Sequence, residues 1–398
     1  MIFNNALLLV LLVLAVASGW TLGRGGLRIS SAERTQLPSQ YYRGFNFLLD
    51  GEEQGAVDAF TEALEVNEET LDTHIALGSV LRKRGEVDRA IRIHQSLLTR
   101  SHLTTVQLHQ SHLELARDFI AAGLHDRAEQ LLIDLASQSD DLRATAQRHL
   151  LEVYEAQRDW PAAVTVSEAL IETASHGGQA ASGQGQSAAV LRSHYFCEQA
   201  EVAAQSGDAG AARQHYLDAT RDNHDALRAR VGLAQLELHE GNVLAARGHI
   251  DAIVASGRRC TPDLLQLLVD ICQAEGDTGS LIASLRHYYE TQPSALLALA
   301  LAAELDRQEG PESAEQFLRG TLTAHPSAPV ATALLLGAMS EDTAGPERQV
   351  MESLSAADLG YRCSHCGFTG KSRHWHCPGC RHWDSSDYLG SVLEQAHD

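Results

Sequence analysis

Hydrophobic positions divide this chain into three stretches with different patterns. Residues 6–22 (ALLLVLLVLAVASGWTL) carry no charge, and with Ile2 and Phe3 the run approaches the ~20 residues a helix needs to span a bilayer. From about residue 37 to 358, small and aromatic residues recur at helical spacing and are interrupted by glycines. Residues 359–398 follow neither pattern and hold four clustered cysteines. The chain therefore reads as an apolar anchor (1–23), a juxtamembrane basic linker (24–36), a helical array (37–358) and a cysteine module with its tail (359–398).

The anchor is expected to be retained. Ala15-Val16-Ala17 imitates a signal-peptide cleavage site, but the leading MIFNN has no Lys or Arg, which a signal peptide normally carries. Trp20 ends the run where an indole suits the headgroup level. Arg24, Arg28, Arg34 and Arg43 follow the run, so the positive-inside rule places the short N-terminus outside and the rest in the cytoplasm.

The array repeats every 34 residues. Gly44, Gly51 and Ala56 return as Gly78, Gly85 and Ala90, and Gly207 and Ala212 return as Gly241 and Ala246. A small residue in a first helix, a Gly between helices and an Ala in the second form the tetratricopeptide pattern. Small residues let two helices approach, and the Gly permits the tight turn. Gly44, Phe47, Ala56, Phe60 and Ala63 fill the first unit; Ala116, Phe119, Gly123 and Ala128 mark the third. Ala200, Gly207, Ala212, Tyr216 and Ala219 mark the fifth. Gly276 with Pro293, and Gly310 with Pro326, carry looser seventh and eighth units, the prolines falling where a helix has to stop. The spacing predicts eight units over 37–328 and a last helical pair over 329–358, an all-α superhelix whose groove binds peptides or proteins.

Two irregularities interrupt the period. Four extra residues fall around 101–105. Residues 175–187 (SHGGQAASGQGQS) have no periodicity, and their four glycines predict a flexible insertion, a hinge between two sub-arrays or a plain surface loop. Tyr41, Phe45 and Leu48 in unit one, and Ile75, Arg82 and Lys83 in unit two, are expected to face the groove or to stack between helices.

Composition sharpens the class. Hydrophobic residues make up 44% and aromatics only 5%, with Ala and Leu abundant, which favours helix over sheet. A net charge of −21 argues against nucleic acid as a partner. Cys197, Cys260 and Cys272 lie in Ala/Leu-rich helical contexts and read as small buried hydrophobes. Most of the 20 histidines, such as His74, His94, His149 and His215, have no partner at ligand spacing and read as solvated or hydrogen-bonded. The sequence has no nucleophile elbow, phosphate loop or His-Glu-x-x-His motif. No catalytic or cofactor-binding residue is expected, and no enzyme.

Chemistry concentrates in YRCSHCGFTGKSRHWHCPGC, from residue 361. Cys363 and Cys366, then Cys377 and Cys380, form two Cys-x-x-Cys pairs that can bind one zinc or iron ion tetrahedrally and leave no open position. His365, His374, His376 and His382 interleave them and leave a site of three cysteines and one histidine as an alternative; the matched spacing of the pairs favours four cysteines. Gly367 suits the positive φ of a metal knuckle, whereas Arg381 stands in the corresponding place of the second. Residues 361–383 hold four basic residues and no acidic one. Trp375 and Trp383 read as packing for a small ribbon or as partner contacts.

An N-terminal anchor, a tetratricopeptide array and a ribbon reading YRCxxCGF…WHCPxCRxW together resemble the lipopolysaccharide assembly protein B family of Gram-negative bacteria. The resemblance runs over essentially the whole chain. It implies a single-pass inner-membrane adaptor with a periplasmic N-terminus, a cytoplasmic bulk and a rubredoxin-like metal module. It further implies three partners. A membrane-bound AAA+ metalloprotease degrades the deacetylase that commits precursor to lipid A, the deacetylase is the client, and a membrane-embedded lipopolysaccharide regulator opposes them. The four cysteines carry over as metal ligands. An iron electron carrier on a repeat scaffold, or a general envelope-assembly scaffold, are the alternative functions.

Overall fold

A computed structural model describes residues 71–99, 103–176, 186–276, 278–338 and 360–389, with isolated positions between 43 and 55. The expected anchor and linker, most of the first repeat and the last helix of the array lie outside the described residues. Among the described residues, no helix is long and apolar enough to cross a membrane. The chain divides into two compact units, 1–135 and 136–398.

In the first unit, α1 (Leu71–Lys83), α2 (Val87–Leu98), α3 (Thr105–Ala121) and α4 (His125–Gln138) form hairpins of the expected kind. Gly85 and Gly123 take φ of 84° and 72° at the turns. Around Gly85 the N–H of Glu86 bonds the carbonyl of Leu81, closing the helix end as a left-handed cap does. Ala90, Ala116 and Ala128 are fully buried between helices. The offset near 101–105 leads into a capping box, in which Thr104 Oγ1 accepts from the Gln107 N–H and Gln107 Oε1 from the Thr104 N–H.

Arg82, expected at the groove or in stacking, is a stacking residue. It binds Asp118 at 2.7 Å and Glu114 at 2.8 Å on α3. Buried His94 meets the same Asp118 at 2.5 Å. This His–Asp–Arg–Glu cluster satisfies charges that would otherwise be costly between packed helices.

The second unit continues with α5 (Asp140–Gln157), α6 (Trp160–His176), α7 (Ala188–Gln205), α8 (Ala209–Asp222), α9 (Leu227–His239), α10 (Val243–Ala255), α11 (Pro262–Glu275), α12 (Thr278–Thr291), α13 (Ala295–Glu309), α14 (Pro311–Ala324) and α15 (Ala328–Ala338). Each helix packs on the next, and first helices also meet one another, α7 on α9 and α9 on α11. Gly207, Gly241 and Gly276 have positive φ at the turns, and Arg158 (φ 58°) occupies the equivalent place after α5. Second helices are tied to the following first helix by arginines: Arg213 of α8 to Glu237, and Arg247 of α10 to Glu275. Pro293 and Pro326 lie just past α12 and α14, as expected.

Across the 175–187 insertion, α6 packs directly on α7. The boundary between units falls at 135/136, not at the insertion. Residues 177–185 lie outside the described residues; the insertion's end does not, since Ser187 caps α7 by accepting from the Val190 N–H.

The cysteine module is a three-stranded antiparallel sheet of order β2-β1-β3, from β1 (Tyr361–Cys363), β2 (Thr369–Gly370) and β3 (Ser386–Tyr388). Tyr361 pairs with Gly370 on one side and Tyr388 on the other, and Cys363 faces Ser386.

Candidate metal centre

The four cysteines converge. Their sulfurs lie within 4.8 Å of one another, with Cys363–Cys380 and Cys366–Cys377 each at 3.7 Å. A tetrahedral ion with metal–sulfur bonds of ~2.3 Å requires sulfur–sulfur edges of roughly 3.8 Å, so the arrangement fits one zinc or iron ion. No histidine joins these sulfurs in the cluster; His365 and His382 stack on each other instead, 4.6 Å apart.

Backbone geometry explains why these residues converge. Each Cys-x-x-Cys turns its chain so that both sulfurs point inward, and a left-handed residue follows: Gly367 at φ 79° and Arg381 at φ 57°. The sequence departs from the usual glycine at Arg381, yet the backbone keeps the knuckle form. The Gly367 and Arg381 N–H groups bond the carbonyls of Cys363 and Cys377.

Four thiols this close cannot all ionise unaided. Burial opposes ionisation of Cys363, but the Ser385 hydroxyl and the backbone N–H groups of Cys366 and His365 outweigh it and draw the thiol down to about 6. Burial and the neighbouring Cys366, Cys377 and Cys363 sulfurs push Cys380 up to about 12. A divalent cation removes this conflict by compensating the thiolates directly. The three isolated cysteines are buried as expected, and burial pushes Cys197 and Cys260 up to about 12, away from reactivity.

The module does not stand alone. Trp383, expected to pack within the ribbon or meet a partner, instead enters the helical array and is 1% exposed. Its ring lies between His376 of the module (4.3 Å, 13°) and His194 of α7 (5.0 Å, 14°), while Trp160 and Tyr195 meet it edge-on. Glu155 of α5 accepts from Trp383 Nε1 at 3.0 Å and from the Tyr195 hydroxyl at 2.7 Å. Gln186 clasps the Trp383 backbone, accepting from its N–H at 3.1 Å and donating to its carbonyl at 2.9 Å.

Further contacts extend the seat to α11. The Tyr361 hydroxyl donates to Asp263 at 2.5 Å, Arg373 lies 3.6 Å from the same carboxylate, and Arg258 pairs with Asp384 at 3.4 Å. Trp375 packs against the hydrophobic core of the array. A basic module thus meets an acidic array through specific pairs.

Sequence reasoning did not find Glu155, Trp160, Gln186, His194 or Tyr195. The scarcity of tryptophan was the one signal for Trp160. Glu155 and Gln186 look like any solvated residue along a helix or loop.

Similarity to known proteins follows the same division. Residues 361–385 match the family description "Rubredoxin metal binding domain", and residues 197–263 match the tetratricopeptide repeat. Lipopolysaccharide assembly protein B of Escherichia coli is 30% identical over 387 residues, covering 95% of this chain and 97% of that protein. The protein of the same name from Haemophilus influenzae is 28% identical, covering 98% of this chain and 99% of its own. Among solved structures, Pseudomonas aeruginosa pilF aligns over 60% of this chain and 98% of its own at 18% identity, with a TM-score of 0.30. Near end-to-end similarity to the curated proteins, with the terminal metal module and the repeats both matched, makes this chain a member of the lipopolysaccharide assembly protein B family.

Proposed function

We propose that this chain is a membrane-tethered, non-catalytic adaptor that regulates lipopolysaccharide assembly. The relatives' name supplies the process. The observation that carries the mode of action is the seating of a closed four-sulfur module across the helical array through Trp383, Glu155 and Gln186. Such a centre has no open coordination position for a substrate and serves to hold a binding surface in shape. Residues 1–23 fix the chain in the inner membrane, with its N-terminus periplasmic and its bulk cytoplasmic. Tethering there raises its effective concentration beside a membrane-bound AAA+ metalloprotease. The array and module recruit the deacetylase that commits precursor to lipid A, and a membrane-embedded lipopolysaccharide regulator opposes this.

The test replaces Cys377 and Cys380 with Ser. Bound metal is expected to fall from one ion per chain to none, and the half-life of the deacetylase in cells to lengthen several-fold. A metal-free variant that supports unchanged client turnover sinks the adaptor reading. A rubredoxin-like electron carrier is the second reading, favoured by the exposure of Cys366 at the module's edge. Iron content and a visible absorption band in the purified protein decide between the two.

A further inference from the structure

A cleft of about 520 Å3 opens where the metal module meets α7, α9 and α11. Its volume lies within the ~300–1,000 Å3 of ordinary binding pockets. Two guanidiniums, one from the array and one from the module, flank Trp375 on its wall, Arg228 at 6.0 Å from the ring and Arg373 at 4.8 Å. Each keeps a donor without a partner. Arg228 is 6% exposed and spends its Nε and Nη2 on Glu201 and Glu198, yet its buried Nη1 has no acceptor. Arg373 Nε is likewise buried without a hydrogen bond. Buried donors in a folded protein are almost always paired, so two orphans bordering one cleft point to an acceptor brought by a ligand.

The charges select that acceptor. Arg228, Arg373 and Lys371 line the cleft against the carboxylates of Glu201 and Asp263, which leaves one cation in excess. Lys371 is exposed and forms no ion pair among the described residues. A single negative charge balances this surplus, whereas a phosphate dianion overshoots it and would lie near two carboxylates. Trp375 and Tyr216 add an aromatic wall for an adjoining side chain.

We propose that this cleft binds a carboxylate-bearing segment of a protein partner. Lys371 and the free edges of Arg228 and Arg373 hold the carboxylate, and Trp375 contacts its neighbour in the peptide. The inference rests on the reading that array and module together recruit a protein client, and it names where contact is made.

Binding is tested by fluorescence anisotropy on the zinc-loaded full chain in detergent. Three fluorescein-labelled pentapeptide pools are compared: one with free C-terminal carboxylates, one amidated and lacking Asp and Glu, and one amidated with a single fixed glutamate. Binding by the first or third pool, about tenfold or more tighter than by the second, is expected, and the better of the two tells a terminal from a side-chain carboxylate. Lys371→Glu, an exposed change that breaks no pair, should abolish that preference, and Arg373→Gln should weaken it while one zinc per chain is retained. Equal binding of charged and neutral pools, no binding of any pool, an unaffected Lys371→Glu variant, or displacement by equimolar inorganic phosphate each overturns the proposal. Client turnover in the cysteine variant is read separately in cells, so failure of the cleft and failure of the adaptor reading are distinguishable.

Discussion

Gly232 of α9 faces the Tyr216 ring so closely that a Cβ there would lie 2.2 Å from the ring. The aromatic fills the space a side chain would take. Gly232→Ala should therefore displace Tyr216 and cost about 1–3 kcal/mol in urea unfolding. Gly248, on α10 with open space around its Cβ position, is the internal contrast, and Gly248→Ala should stabilise by about 0.5–1 kcal/mol. Equal effects at both sites would refute the close-approach account. The 34-residue period marked Gly78 as a small helix position, and the structure shows His94 against it. Gly232 could not be marked in that way, because no neighbour in sequence signals where a ring from the preceding helix lands.

A second residue-scale consequence concerns acid. His194 lies under Trp383 with neither ring nitrogen hydrogen-bonded. Burial, followed by the positive charges of Arg228, His376 and Arg258, lowers it to about 3. Its folded value lies below the ordinary 6.5, so the unfolded chain binds the proton first as pH falls. The neutral ring's contribution is complete above about pH 6.5 and is lost progressively towards pH 3, amounting to about 2 kcal/mol by pH 5. His194→Asn cannot take up this proton. Urea titrations at pH 7 and pH 5, followed by tryptophan fluorescence, should show the variant losing about 2 kcal/mol less stability than the parent between the two. Identical losses would exclude His194 as the source.

At the scale of elements, helix ends were the most legible part. Gly85, Gly123, Gly207 and Gly241 all occupy left-handed turns, because a chain reversing between packed helices needs that conformation and glycine adopts it freely. Arg158 takes the same conformation without the residue that signals it, so the end of α5 had no mark in the sequence. The module's sheet is too short to fold on its own hydrogen bonds, with strands of two and three residues. It depends on the ion on one side and on the array on the other. Chelation at neutral pH should thus unseat β1–β3 while leaving the helices folded. Far-UV circular dichroism should change little, whereas limited proteolysis should begin to cut within 361–383. Simultaneous loss of helix would show that the module also supports the array's fold.

For the whole molecule, the division into array and metal module was readable because each carries a periodic or spaced signal: a 34-residue repeat in one, two Cys-x-x-Cys pairs in the other. What joins them was not. Glu155, Gln186, His194, Arg258 and Asp263 belong to different hairpins, and none shares a spacing with another. Their role exists only after α5 through α11 have stacked. The Gly-rich insertion shows the same limit, since its composition signalled a loop and gave no hint that Gln186 at its end would clasp Trp383.

That clasp has a bearing on how the chain is made. Trp383 reaches Glu155 across 228 residues of sequence, so the contact closes only when nearly the entire polypeptide has been synthesised. By then hairpins α5 to α11 must already have adopted their mutual rotations, because one tryptophan and one module have to meet α5, α7 and α11 at once. A slip in any intervening hairpin displaces at least one of those partners. The last segment to emerge therefore acts as a gauge of the stack laid down before it: a chain folded in correct register buries Trp383, and a misfolded one leaves it in solvent.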